Sequence, residues 1–328
     1  MKNFIAALLL AGAGTAALAD SPNRVVMAVD RINEVRNLPA ILAESLGYFK
    51  DEGLLVTLME GRDEVPTETQ LADGRVDASM AFYHHTIMSQ VGGHPLVSVI
   101  DLGVSPALTL MVASRLKDQV KSMADLKGRK IFTGGANSGK TTTANWLAAH
   151  AGMGVNDFTR LPLMDRDKMA AALTSGEADA IVAHEPDASY YANSGVAVAI
   201  ADITTPDGTR KSLGSLFPTT SVYMTEDYVK THPEQVQHLV NALVKTLKYI
   251  GSHKAAEIFA VLPKEIGGKD PKTYQEDLAR DLPMFFTDGV MPEADARMEF
   301  KIFTEFQPKY ANTKFEPTYT NQFVKKAD

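Results

Sequence analysis

Short runs rich in valine, isoleucine and alanine alternate along this chain with segments whose apolar residues recur every three or four positions. That is the pattern of successive strands and helices. It predicts strands over 24–29, 54–59, 78–82, 96–101, 108–113, 130–133 and 180–183, and helices over 38–50, 67–71, 85–91, 141–151 and 166–174. A Gly/Ser/Pro break from Gly103 to Pro106 separates the two series, and beyond Pro233 the pattern is helical, over 234–250, 255–262, 274–280 and 293–306. Strands that alternate with helices in this way predict an α/β protein.

One segment occurs twice. Leu71-Ala72-Asp73-Gly74-Arg75-Val76-Asp77-Ala78 is echoed by Leu173-Thr174-Ser175-Gly176-Glu177-Ala178-Asp179-Ala180. In each copy a glycine sits where a helix must end in a left-handed residue, and an aspartate precedes a short apolar strand. The echo predicts two similar α/β lobes.

The first residues carry a different pattern: Lys2, an apolar run from Phe4 to Leu10, and Ala17-Leu18-Ala19 before Asp20. This reads as an export leader, residues 1–19, cleaved after Ala19, and predicts a periplasmic address. The chain has no cysteine, so it has neither disulfides nor thiol chemistry, and no residue for a lipid anchor after the leader. With 45% hydrophobic and 22% charged residues, composition excludes a disordered chain. A net charge of −7 without a basic block argues against nucleic acid as a partner.

Gly134-Gly135-Ala136-Asn137-Ser138-Gly139-Lys140-Thr141 fits the spacing of a phosphate-cradling loop between a strand and a helix. An exported protein meets no nucleoside triphosphate pool, and no apolar strand ending in aspartate follows to hold magnesium, so a nucleotide-binding function is a minor alternative. The physics of the turn remains: free N–H groups and the positive end of a helix point at one spot. Helix capping by Ser138 or Thr141 is the competing use of the same residues.

Ligands of open α/β sheets sit beyond the carboxyl ends of strands. The loops at those ends carry Gly61 and Arg62, then Tyr83, His84 and His85, and in the second series His184 and Glu185, with Arg36 and Asn37 at the start of the first helix. They are expected to converge on one cleft. His84, His85, His94, His184 and Glu185 lack the spacing of a metal site, and no Gly-x-Ser-x-Gly elbow occurs. No cofactor is expected. The aromatic run Phe315, Tyr319 and Phe323 reads as lobe packing.

Read as a whole, the chain resembles the periplasmic substrate-binding proteins of ABC importers of the nitrate/sulfonate/taurine type, related also to thiamine-pyrimidine binders. The resemblance rests on Pro39 to Ala43, Gly47 to Leu54, Leu71 to Ala78, Ala124 to Lys130, Gly176 to Pro186 and Tyr319-Thr320-Asn321. It implies a type II two-lobe clamp with hinge crossings near Gly103–Ala107 and Leu213–Thr220. The first lobe would comprise 20–105 and 218–328, the second 106–217. It also implies a monomer that carries a small solute to an inner-membrane permease with its cytoplasmic ATPase, and no enzymatic step. In that family a Gly-Ser-Ser turn donates to the ligand's oxyanion; here Ser138 matches it, while Asn137, Gly139 and Thr141 depart from it, and His184-Glu185-Pro186 stands for the family's Trp-Glu-Pro. The expected contacts are therefore Arg36, Asn37, Gly61, Arg62, Tyr83, His84, His85, Asn137, Ser138, Gly139, Lys140, Thr141, His184 and Glu185. Arg36, Arg62 and Lys140 beside helix starts favour an anionic solute, a sulfonate or a carboxylate. The alternatives are a neutral heterocycle and, less favoured, a secreted enzyme using His84 or His85.

Overall fold

The computed structural model describes residues 23–29, 32–60, 67–267, 270–285 and 288–327. The export leader, Gly61 and Arg62 lie outside these residues.

The strands are β1 (Arg24–Val29), β2 (Leu55–Glu60), β3 (Ala78–Phe82), β4 (Leu96–Asp101), β5 (Leu108–Ala113), β6 (Lys130–Phe132), β7 (Thr159–Leu161), β8 (Ala180–Ala183), β9 (Ala197–Ile203) and β10 (Thr220–Thr225). They form two five-stranded sheets, ordered β2-β1-β3-β10-β4 and β7-β6-β8-β5-β9. In each, three strands run parallel and the fourth, β10 or β5, lies antiparallel beside β3 or β8. The helices are α1 (Leu38–Ser45), α2 (Tyr48–Asp51), α3 (Thr67–Ala72), α4 (His85–Ser89), α5 (Gly139–His150), α6 (Arg166–Ser175), α7 (Asp187–Asn193), α8 (Pro206–Leu213), α9 (Glu226–Thr231), α10 (Pro233–Ser252), α11 (Ala255–Val261), α12 (Pro271–Asp281) and α13 (Glu293–Phe306). Each sheet with its helices builds a lobe, so the chain has the two-lobe α/β architecture its sequence predicts.

Strands β3, β4, β5 and β8 are buried along their whole length, as strands covered by helices on both faces must be. The core of the first lobe packs β1, β3 and β4 against α1 and the long α10, whose buried stripe includes Val236, Leu239, Val240, Leu243 and Leu247. In the second lobe Trp146 of α5 meets Phe217 edge-on at 4.4 Å between ring centroids, and Ile302 and Phe306 of α13 join that core.

The sequence echo is structural. Gly74 and Gly176 both have positive φ, at 66° and 93°. Asp77 accepts a hydrogen bond from the Val26 N–H at 2.7 Å, and Asp179 accepts one from the Lys130 N–H at 3.1 Å. Each aspartate thus ties its own strand to the parallel neighbour at the same point of its sheet.

The helix expected over 38–50 is divided: Gly47, at φ 74°, ends one turn and opens α2. Strands β7 and β9, the polar strand β10 and the short helices α7, α8 and α9 are absent from the sequence reading.

The chain crosses between lobes after β4 and before β10, and the two crossings run side by side. Thr219 N–H donates to the Gly103 carbonyl at 3.0 Å, Leu102 N–H to Thr220 at 2.8 Å, and Phe217 N–H to Val104 at 3.0 Å. A third segment joins them where Val104 N–H donates to Met284 at 2.7 Å. Ala107, just beyond, sits at φ 50°, a left-handed conformation that costs a residue with a side chain about 1–2 kcal/mol.

Asp77→Ala removes one strand tie and Asp179→Ala its counterpart. Each is expected to lower stability by about 1.5–3 kcal/mol, the usual worth of a hydrogen bond to a charged group, as measured by urea unfolding. A loss at one position only would mean that the two turns are not equivalent.

Candidate functional site

A cavity of about 300 Å³ lies between the lobes. The first lobe contributes Glu34, Val35 and Arg36 before α1; the loop after β8 in the second contributes His184, Glu185 and Pro186. Ala107 borders it at the hinge, and α12 forms the remaining wall with Thr273, Tyr274, Asp277 and Asp281. Three of the sequence-predicted residues, Arg36, His184 and Glu185, thus meet here.

Electrostatics in this region centre on Arg280. Its Nη1 lies 3.0 Å from Glu185 Oε1, its Nη2 3.3 Å from Asp277 Oδ1, and its Nε donates to Asp281 Oδ1 at 2.9 Å. One guanidinium therefore serves three largely buried carboxylates, one of them from the opposite lobe. Burial pushes Asp277 and Asp281 up to about 6, helped in both by the neighbouring Glu185 charge and opposed by Arg280. Glu185 also accepts the Ser189 N–H at 2.9 Å. On the facing wall Arg36 donates to Glu34 at 2.6 Å and stands 5.2 Å from the centroid of the Phe82 ring, within cation–π range.

The other predicted residues lie along a tightly packed seam between the lobes. The His84 ring is fully buried, stacked on Phe303 at 5.1 Å, with Nε2 3.1 Å from the Asn137 carbonyl. Tyr310 of the C-terminal segment reaches the Asn137 side chain at 3.5 Å, and Gln307 donates to the Ala136 carbonyl at 2.9 Å. Gly139 is at its position because a Cβ there would fall 2.4 Å from the Phe82 ring of the other lobe. Tyr83 is buried, its hydroxyl 2.6 Å from Thr318 Oγ1. His85 is half-buried with Nδ1 2.8 Å from the Tyr223 hydroxyl. Asn37 is buried at the start of α1, outside the cavity lining.

The turn that resembles a phosphate loop spends its hydroxyls on Thr133 after β6 and on the start of its own helix. Ser138 donates to the Thr133 carbonyl at 2.8 Å and accepts the Thr141 N–H at 3.2 Å, while Thr141 Oγ1 bonds Thr133 Oγ1 at 2.9 Å. This is the capping use. Neither these residues nor Lys140 line the cavity.

Sequence reasoning did not single out α12, which forms one wall of this cavity. The helix itself was foreseen, but its acidic residues resemble a solvated face. Only tertiary packing sets Asp277 and Asp281 against Glu185.

Beside the seam, Glu299 Oε1 lies 3.4 Å from His84 Nδ1, both side chains fully buried. Burial drives His84 well below its ordinary range and Glu299 well above its own, with buried Asp101 disfavouring a charge on Glu299 further. Burial thus favours the neutral form of both groups.

The comparisons with known proteins follow the same outline. A family profile described as NMT1/THI5 like matches residues 35–256. A 4-amino-5-hydroxymethyl-2-methylpyrimidine phosphate synthase of Saccharomyces cerevisiae is 26% identical over 239 residues, 68% of each chain. Among solved structures, a protein of Bordetella bronchiseptica RB50 superposes with a TM-score of 0.77 at 28% identity, over 93% of this chain and 96% of that one. The alkanesulfonate-binding protein of Xanthomonas axonopodis pv. citri, solved with MOPS bound, gives 0.66 at 18% identity, over 92% and 99%. The fold is that of the type II periplasmic binding proteins.

Two outcomes check the electrostatics. Glu299→Gln, which puts a neutral amide where burial favours the neutral acid, is expected to change stability by less than about 1 kcal/mol at pH 7; a loss of about 3–5 kcal/mol would mean that a buried ion pair had been broken. Asp281 binds its proton more tightly folded than unfolded, so stability falls as pH rises from near 4 through about 6. Asp281→Asn is expected to flatten that part of the stability–pH curve, and an unchanged curve would contradict the assignment.

Proposed function

The chain belongs to the NMT1/THI5-like family, and on that premise we propose that it is the exported solute-binding component of an ABC importer. A small organic solute enters between the open lobes, and closure buries it between the Arg36 wall, the His184–Pro186 loop and α12. Binding energy selects the closed population, which the membrane permease then recognises. On this reading residues 20–105 and 218–328 form one lobe and 106–217 the other, with α13 of the first packing Ile302 and Phe306 onto the second. The leader is removed after Ala19, and the monomer works in the periplasm without altering its cargo.

The observation that carries the reading is the cavity, closed by loops from both lobes at the position where α/β sheets hold ligands. Sulfonate- and nitrate-binding proteins, two of them named as periplasmic, share the fold, which supports the transport role. They do not decide the solute. Of the positive groups that favour an anion, Arg36 is in the lining and Lys140 is not, while the lining carries the carboxylates of Glu34, Glu185, Asp270, Asp277 and Asp281. A nitrogen heterocycle suits that wall better than a sulfonate or carboxylate does, and the likeness to the yeast pyrimidine phosphate synthase supports the same class. That relative is named as a synthase, which supports the catalytic alternative using His84 or His85, although neither is in the cavity lining.

Calorimetric titration with pyrimidines, nitrate, alkanesulfonates and aromatic carboxylates, followed by chromatography of the recovered solute, tests the proposal. One solute class is expected to bind at one per chain and return unchanged. Gly139→Ala, which forces Phe82 and α5 apart, is expected to weaken that binding at least tenfold. Recovery of an altered compound would replace the importer reading with the catalytic one.

A further inference from the structure

We propose that the α12 end of the cavity is a seat for a positively charged nitrogen of the ligand, formed by Asp277, Asp281, Glu185 and the Tyr274 hydroxyl. The inference rests on the solute-binding reading and names the chemistry of its cargo.

Charge balance is the first observation. Among the described residues Arg280 is the cation in contact with Asp277, Asp281 and Glu185, so three carboxylates share a single positive charge. Asp281 is 2% exposed and Asp277 7% exposed, and water can do little for either. A buried carboxylate without a full counter-charge is costly, and a ligand cation would relieve that cost. The upward displacement of both aspartates to about 6 agrees with a site short of positive charge.

Tyr274 is an independent observation. It lines the same cavity, is 7% exposed, and its hydroxyl is buried with no hydrogen-bond partner among the described residues. Buried phenol groups are ordinarily satisfied, so an unused one in a cavity wall marks a position where a ligand atom completes the bond. A hydroxyl can accept from an ammonium or amidinium N–H while the aspartates balance the charge. An anionic group placed there would face three carboxylates at close range.

The test uses two isosteric series on the purified protein at pH 7.5. One is benzamidine, benzamide and benzoate; the other is butylamine, butyramide and butyrate. Calorimetry is expected to show the cation of at least one series binding tenfold or more tightly than both its neutral and anionic partners. Asp277→Asn with Asp281→Asn should bring the cation within about threefold of the amide, and Tyr274→Phe should weaken it about three- to tenfold. Should the double variant fail to fold, Glu185→Gln with Tyr274→Phe is the second comparison. The tightest binding by a carboxylate, a cation preference that survives these substitutions, or no binding by any compound would each overturn the seat. An anionic solute held at one per chain and returned unchanged would do so while leaving the solute-binding reading intact.

Discussion

The cavity between the lobes depends on one guanidinium. Arg280 reaches from α12 to Glu185 beyond β8, and on the way it holds Asp277 and Asp281 of its own helix. Without it three largely buried carboxylates would crowd one another, and α12 would lose its ion pair to the second lobe. An ion-pair cluster of this kind, a half-exposed guanidinium on largely buried carboxylates, adds little net stability, because desolvation of the carboxylates offsets most of the attraction. What it contributes is position: it sets the acidic helix against the strand-end loop of the other lobe.

The hinge supplies the complementary constraint. Two crossings hydrogen-bonded side by side, with Met284 joined to them, allow the lobes to rotate while their separation at the hinge stays fixed. On the proposed reading, the contacts between the two lobes include the Phe82 ring over Gly139, His84 on the Asn137 carbonyl and the Arg280–Glu185 ion pair, while Ile302 and Phe306 of α13 pack into the second lobe's core.

Much of the fold was legible in the chain because burial on both faces leaves continuous apolar strands such as 78–82 and 108–113, and because the Gly-x-x-Asp turn of residues 74–77 is repeated at 176–179. Strand β10 was not legible: Thr220, Ser221 and Tyr223 are polar in isolation and become core only between β3 and β4. The site was legible in part. Arg36, His184 and Glu185 follow from the rule that loops at strand ends line the cleft. Ser138 and Thr141 drew attention through a spacing that serves helix capping equally well, and nothing local distinguishes the two uses. Asp277 and Asp281 acquire their meaning from Arg280 and Glu185, a relation between segments nearly a hundred residues apart.

The central claim is that a solute binds by drawing the lobes together. The natural absence of cysteine allows a direct measurement: spin labels on Lys121→Cys in the second lobe and Glu234→Cys in the first, both exposed, with the distance read by pulsed electron resonance. The account predicts two distance populations in the solute-free protein and a single, shorter one when the cavity is filled. One distribution that stays the same with and without solute would contradict it.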